Sequence, residues 1–522
     1  MTRSVAAVAI AAAIVLVGAP RFGWFPLIRL PALLLPPLVV WLAAARPWRW
    51  SARDIDQIAA WTPSPRTVVL AALVTGAVLG WILLTRFQSG DINAVDSTVY
   101  FDRPIYQTAH GRLLYVETAD LPAFSHRSQF AVHSYYNLVL LAPLYWIRAT
   151  PCWLLALSIV AVVLGSVHTL RIVRGVTGSG LVAAAAAFAF VLNANTARTL
   201  LYGFHPEVLY AWFVPAAIDA AMHGRRWWFL AAVLAAATIK EDAILPLLAL
   251  SIALALAMRG PARDRWLYLV FPPAIALANL AAYYAWVLPM FAASSNPVYA
   301  GFWGGYGPTP ARALLGMLSR PIDVARSVTT SGILRVLLPH GVLPIVGWRW
   351  SVGILPLVVL FGASSNDQLR AFGIYYSILT VPFLVIGSAV GAVTVARTLT
   401  RREASAHVAA AAIVFFAALL VYGDRAGYSL RPWRQEVAAT PAAIATLASE
   451  PVVLVQSALY PHAGYDTRVV LLTRETLSDP KYAGAVTLLA PALNAYPLAK
   501  DELGRLAGQA QAIRGLIVVR RP

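Results

Sequence analysis

The feature that leaves this chain the fewest options is the length of its uninterrupted apolar runs. Residues 68–84, 153–170, 181–192, 266–290, 373–395 and 408–421 contain no Asp, Glu, Lys or Arg. Several of these runs reach the roughly 18–20 residues that a helix needs to cross bilayer hydrocarbon, and the shorter ones can cross with flanking Trp or tilted neighbours. Inside lipid the backbone of such a segment has no water to bond, so it must satisfy itself as a helix. With 59% hydrophobic and only 12% charged residues over 522 positions, the chain also lacks the charge that a soluble surface of this size requires. The reading is an all-α polytopic membrane protein with about eleven or twelve crossings.

A net charge of +18 would suit a polyanion, but its distribution argues against nucleic acid. The arginines fall in short groups between apolar runs: Arg46, Arg49 and Arg53; Arg171 and Arg174; Arg225 and Arg226; Arg259, Arg263 and Arg265; Arg397, Arg401 and Arg402. That is the pattern of cytoplasmic loops in a membrane protein. The single cysteine, Cys152, excludes an intrachain disulfide and offers no metal site. The first apolar stretch is followed at once by a second at 28–45, and Ala19-Pro20 is a poor cleavage signal, so a retained helix is expected rather than a signal peptide.

Placing the arginine groups inside the cell orients the rest. The N-terminus is cytoplasmic, crossings lie at 4–19, 28–45 and 67–86, and a polar outer loop follows at 88–134. The run 136–147 is too short to cross and reads as interfacial or re-entrant. Crossings then alternate through 153–170, 178–193, 206–222, 227–239, 243–257 and 266–290, with outer loops at 193–205 and 291–326. A shorter pair, 331–347 and 351–361, flanks Trp348-Arg349-Trp350, and 372–395 and 405–421 complete the membrane portion. The tail is more charged, with strand-like runs at 452–456, 468–472 and 516–519 and a polar helical stretch at 498–513. The chain thus divides into an N-terminal helix pair with its cytoplasmic loop (1–66), a transmembrane core (67–424) and a small extracytoplasmic α/β domain (425–522) on a protein of the cytoplasmic membrane.

This topology, set by arginine alone, gathers the unusual polar residues at one end. Lys240-Glu241-Asp242 sits between apolar helices without polar padding; such groups must pair, bind a ligand or line water. A salt bridge pinning the turn, a substrate or ion contact, and a plain solvated turn all explain it. His205-Pro206-Glu207 opens a helix whose first amides are free, which suits an anion, although a structural histidine reads equally well. In the first loop, Asp96 and Asp102 are candidates for a general base, or for oxygen ligands to a divalent cation such as Mg²⁺ or Mn²⁺; loop architecture is their bland alternative. Asp120, His126 and Arg127 carry a weaker signal. No glycine-rich phosphate loop, Walker lysine or nucleophile elbow is present, so ATP-driven transport and serine hydrolysis find no support.

These residues resemble a known group, the multi-pass membrane family described as DUF2079. Asp96 and Asp102 with Gln107 and Gly111-Arg112 fit its first element, and His133 with Ala142-Pro143-Leu144-Tyr145 fits its second. Phe204-His205-Pro206-Glu207, the Lys240-Glu241-Asp242 triplet and the aromatic segment with Tyr375 and Tyr376 follow, and Ser457 with Tyr460-Pro461-His462 resembles the tail motif. The resemblance spans roughly residues 88–475; Tyr135, Tyr136 and Tyr106 depart from the pattern, and the two N-terminal helices are additional. The family is similar in architecture to the GT-C class of lipid-linked-sugar glycosyltransferases. The resemblance implies transfer of a sugar from a polyprenyl-phosphate donor on the outer face, to an acceptor glycan, lipid or protein. Asp96 and Asp102 would be catalytic, and His133, His205, Glu207, Lys240, Glu241, Asp242 and Tyr375 would bind substrate. A transporter or lipid flippase, and a non-catalytic envelope assembly protein, are the alternatives.

Overall fold

The structure is a computed structural model that describes residues 51–93, 95–116, 128–258, 262–292, 298–337, 340–341, 343–422, 428–508, 511–513 and 516–520. The helices expected at 4–19 and 28–45, and Glu117, Asp120, His126 and Arg127, lie outside the described residues.

The chain is a multi-pass membrane helical bundle with a small α/β region at its C-terminus. Among the described residues, five helices are long and apolar enough to cross a membrane: Pro65–Gln88, Cys152–Thr177, Gly180–Tyr202, Arg265–Phe291 and Tyr376–Leu399. Shorter apolar helices at Arg226–Ala237, Trp348–Gly362 and Glu403–Ala418 pack among them. In an 18-residue apolar stretch of Tyr376–Leu399, 83% of the residues are buried inside the protein, against 11% for Pro65–Gln88, so the former is the central post and the latter a lipid-facing edge. Caps fix the ends. The Ser64 and Ser179 side chains each accept a hydrogen bond from the first turn of the helix they open, and Gly178, at φ 73°, closes Cys152–Thr177.

Lipid gives helices no hydrophobic reason to associate, so close approach of small residues holds the bundle together. Ala183 and Ala186 are fully buried where Gly180–Leu192 packs against Cys152–Thr177 and Glu403–Tyr422. Gly165 lies so near the Ala211 carbonyl of Tyr210–Met222 that a Cβ there would overlap it.

Several expected elements differ. The outer loop at 193–205 is mostly helix: the Asn193 side chain accepts from Asn195 N and starts Ala194–Tyr202, extending the preceding span with one break. Of the pair 331–347 and 351–361, the second forms as Trp348–Gly362 with a 3-10 turn at Val352–Ile354, whereas the first is broken into Ile333–Leu337 and Leu343–Val346, with Pro344 at a first-turn position that favours a new start. Residues 136–147 form two helices too short to cross, Tyr136–Val139 and Ala142–Ile147.

In the tail, strands β1 Val453–Val455, β2 Val469–Leu471, β3 Val486–Leu489, β4 Gln511–Ile513 and β5 Leu516–Arg520 form one sheet in the order β2-β1-β3-β5-β4. β1 pairs in parallel with β2 and β3, whereas β5 is antiparallel to β3 and β4. The helix expected at 498–513 stops at Ala507, and β4 takes its last residues. This region docks on the first loop. Arg103 donates to the carbonyls of Gly464 (2.7 Å) and Val469 (3.3 Å) and lies over the Tyr460 ring. The rings of Tyr106 and Tyr465 stack at 4.2 Å, and Arg431 pairs with Asp91 at 2.8 Å. Val95, Val99, Val116 and Ala131 join one apolar cluster with Val453, Val455 and Leu488.

Candidate active site

The segment after the first long span coils as a wide π-helical turn, Val95–Asp102, a form common at functional sites. It separates the two carboxylates that sequence pairs. Asp96 is half-buried and accepts a hydrogen bond from the Tyr202 hydroxyl. Burial holds its carboxyl above the ordinary carboxylate value, the Tyr202 bond and His205 oppose this, and Glu207 adds to it. Asp102 is sealed. The Tyr145 and Tyr465 hydroxyls donate to its Oδ1 at 2.6 and 2.9 Å, and burial pushes its carboxyl up to about 6. Asp96 faces the bundle's polar cluster and Asp102 the tail, so the pair does not fit one divalent cation. Among the described residues no group of three His, Cys, Asp or Glu is arranged to hold a metal.

Gly203 makes the Asp96 contact. At φ 118° it ends Ala194–Tyr202, and a Cβ there would overlap Ser97 Oγ and Ile92; only glycine lets the helix end reach the loop. The next residues run extended, so Phe204 packs edge-on against Phe101 and the His205 ring stacks on Tyr375 at 3.3 Å. Tyr375 is held by an unusual backbone: Phe372 and Ile374 have φ 47° and 51°. For a β-branched residue that conformation is strained and persists only where its surroundings impose it.

From His205 a chain of opposite charges runs inward and out again. His205 Nδ1 pairs with Glu207 Oε2; Lys240 Nζ lies 3.0 Å from Glu207 Oε1 and 3.3 Å from Asp242 Oδ2. Glu207 is thus shared between His205 and Lys240. Lys240 is buried with its ammonium between two carboxylates, whereas the Asp242 side chain is 36% exposed. Burial pushes the Asp242 carboxyl up to about 6 against the pull of Lys240. Glu241 turns the other way: its oxygens take His133 Nδ1 at 2.7 Å and the backbone N–H of Ser134 at 2.9 Å. It therefore ties the end of the first loop to the turn. Asn279 donates to the carbonyls of Ala237 and Lys240 and fixes that turn from a neighbouring helix.

The structure thus brings together Asp96, His205, Glu207, Lys240, Asp242 and Tyr375, sets His133 and Glu241 beside them, and leaves Asp102 apart. A family model described as "Predicted membrane protein (DUF2079)" matches residues 92–483. This chain belongs to the DUF2079 family. No curated protein among those compared matches it. Among solved structures it is similar to ArnT from Cupriavidus metallidurans in the apo state, at 13% identity and a TM-score of 0.44, over 86% of this chain and 97% of that one.

Sequence reasoning missed three residues of this DUF2079 site. Tyr202, which holds Asp96, gave no signal beyond its place before Gly203-Phe204-His205. Tyr135, fully buried beside His205, stood out only as a departure from the family pattern. Asn279 was legible, as the lone amide in an otherwise apolar crossing.

Proposed function

We propose that this protein is a membrane glycosyltransferase that takes its sugar from a polyprenyl-phosphate-linked donor on the outer face of the cytoplasmic membrane. The observation that carries the reading is the unbroken run of contacts from half-buried Asp96 through Tyr202, Tyr375, His205, Glu207 and Lys240 to half-exposed Asp242. Both end residues are partly exposed. Asp96 takes the proton of the acceptor hydroxyl as its oxygen bonds the anomeric carbon, and the bond from that carbon to the donor phosphate breaks, releasing polyprenyl phosphate. A carboxylate raised by burial is a better base than an exposed one.

Lys240 is saturated by Glu207 and Asp242, so the donor phosphate reaches it by displacing Asp242. That carboxyl is partly exposed and readily neutralised, and a phosphate is a stronger partner for an ammonium. Glu207 and His205 hold Lys240 in place meanwhile. No step is routed through a metal, because Asp96 and Asp102 do not share a site.

The test is purified protein in nanodiscs, offered polyprenyl-phosphate sugars with release of lipid phosphate measured. Asp96→Asn abolishes turnover, Asp102→Asn retains it, and Asp242→Asn keeps or tightens donor binding. Turnover unaffected by Asp96→Asn would refute the assignment. One observation favours a second reading, a transporter or flippase: the Lys240 network is internally complete without a ligand, as relay groups inside membranes are. Cargo movement in proteoliposomes without sugar release would select it.

A further inference from the structure

The second outer loop contains a helical hairpin whose outer face is left open by the described residues. Thr309 caps Pro310–Ser319, and Arg320 then turns the chain into Pro321–Thr329. Arg320 also donates to the carbonyls of Gly305 and Tyr306, closing the preceding turn. One side of the hairpin is anchored. Met317, Val324 and Ala363 are buried together, with Trp303, Val328 and Leu360 against them. Ser327 donates to the Gly362 carbonyl at 2.7 Å, and Trp303 Nε1 to the Leu360 carbonyl at 2.9 Å.

The other side is apolar and open. Leu314, Leu315, Leu318 and Ile322 are 56–74% exposed; Leu314 and Leu318 lie one turn apart on Pro310–Ser319, and Ile322 opens the second helix. Arg312 and Arg326 flank them, both exposed and neither ion-paired among the described residues. A ten-residue helix is about 15 Å long and cannot cross a bilayer. Its height is set by its anchor: it packs on the end of Leu355–Gly362, where the chain passes from Leu-Val-Val-Leu-Phe into Ser364, Ser365 and Asn366. That is the level at which hydrocarbon gives way to headgroups.

We propose that the hairpin of residues 310–329 lies in the membrane interface, with Leu314, Leu315, Leu318 and Ile322 among the acyl chains of one leaflet and Arg312 and Arg326 at the lipid phosphates. An open apolar face with a cationic rim is what an interfacial helix presents, and long arginine side chains reach from such a face to phosphate level. Among the described residues no carboxylate, not even Asp323 one turn before Arg326, ion-pairs with either arginine, which leaves both able to meet an anionic lipid surface. The surface passes directly to the strained segment: Gly332 N bonds the Arg370 carbonyl, and Arg370 Nη2 bonds Thr330 Oγ1 at 2.6 Å, five residues from Tyr375. The hairpin is therefore joined through Arg370 to the segment that carries Tyr375, whatever reaction the site performs.

The experiment uses the full chain in nanodiscs of phosphatidylethanolamine and phosphatidylglycerol. Cys152, exposed and free, is replaced by serine, and single cysteines are introduced as Leu315→Cys, Leu318→Cys or Arg312→Cys and spin-labelled. All three positions are exposed, so the label does not disturb the core. Expected is a several-fold higher ratio of oxygen to nickel-chelate accessibility at 315 and 318 than at 312. Labels at 315 and 318 more accessible to the chelate than to oxygen would place the hairpin in water. Labels immobilised and reached by neither would mean that protein, a second copy or another partner, covers the face. Either result overturns the proposal.

Discussion

Replacing Asp102 by asparagine tests the assignment of the two loop carboxylates through stability alone. Asp102 is 1% exposed, and burial raises its carboxyl from 3.8 to about 6 against the Tyr145 and Tyr465 hydrogen bonds and the Arg103 charge. A carboxyl raised by folding favours the native state when protonated. Its contribution is fully present below about pH 4 and is lost as pH rises through 6. About two pH units at about 1.4 kcal/mol each give roughly 3 kcal/mol forfeited at pH 7.5. Asparagine keeps an acceptor for both tyrosine hydroxyls without the charge, so Asp102→Asn should be more stable than the parent by up to about 3 kcal/mol at pH 7.5 and equal to it near pH 4. The assay is thermal unfolding of both proteins in nanodiscs across pH 4–8, with hydrogen exchange at 95–116 and 453–471 to localise the gain at the docked tail. A lower melting temperature for Asp102→Asn at pH 7.5, or a difference between the proteins that does not change with pH, would refute the reasoning.

Three further outcomes are expected. Tyr202→Phe removes the hydrogen bond that lowers the Asp96 carboxyl, so the acidic limb of the turnover–pH profile moves to higher pH while folding is preserved; a profile that stays put separates Asp96 from the reaction. Lys240→Ala strands Glu207 without its cation and costs on the order of 3–5 kcal/mol, read as lost melting temperature, whereas the double change with Glu207→Gln recovers much of it. Gly203→Ala forces a Cβ into Ser97 and Ile92 at φ 118° and should destabilise by about 2 kcal/mol or more, measured as detergent-solubilised yield and melting temperature.

What the sequence could reveal followed from what local composition encodes. Pro65–Gln88 and Cys152–Thr177 were legible because a long charge-free run has one solution in lipid. Ala194–Tyr202 was not, since Asn, Thr and Arg there read as a loop and only burial in the bundle makes them helical. β3, an inner strand of the tail sheet, was not read from the sequence although β1 and β2 are shorter. Lys240-Glu241-Asp242 stood out, as did His205 and Glu207, because ionisable groups between apolar helices are conspicuous. Their pairing was invisible, because Glu207 and Lys240 meet only through the packing of separate helices. Likewise Asp96 and Asp102 look alike in sequence; the π-helical turn sends one to the cluster and the other to the tail.

The docking of the tail on the first loop has a consequence in time. Val95, Val99, Val116 and Ala131 find their apolar partners in Val453, Val455 and Leu488, more than three hundred residues downstream. At 5–20 residues per second, a ribosome needs roughly 15–65 s to make the intervening chain. Throughout that interval the loop stands with valines bare and Arg103 lacking the Gly464 carbonyl. A nascent chain stalled before β1 therefore displays an adhesive loop, and the end of the bundle that carries Asp96 is completed only by residues made after the helical spans.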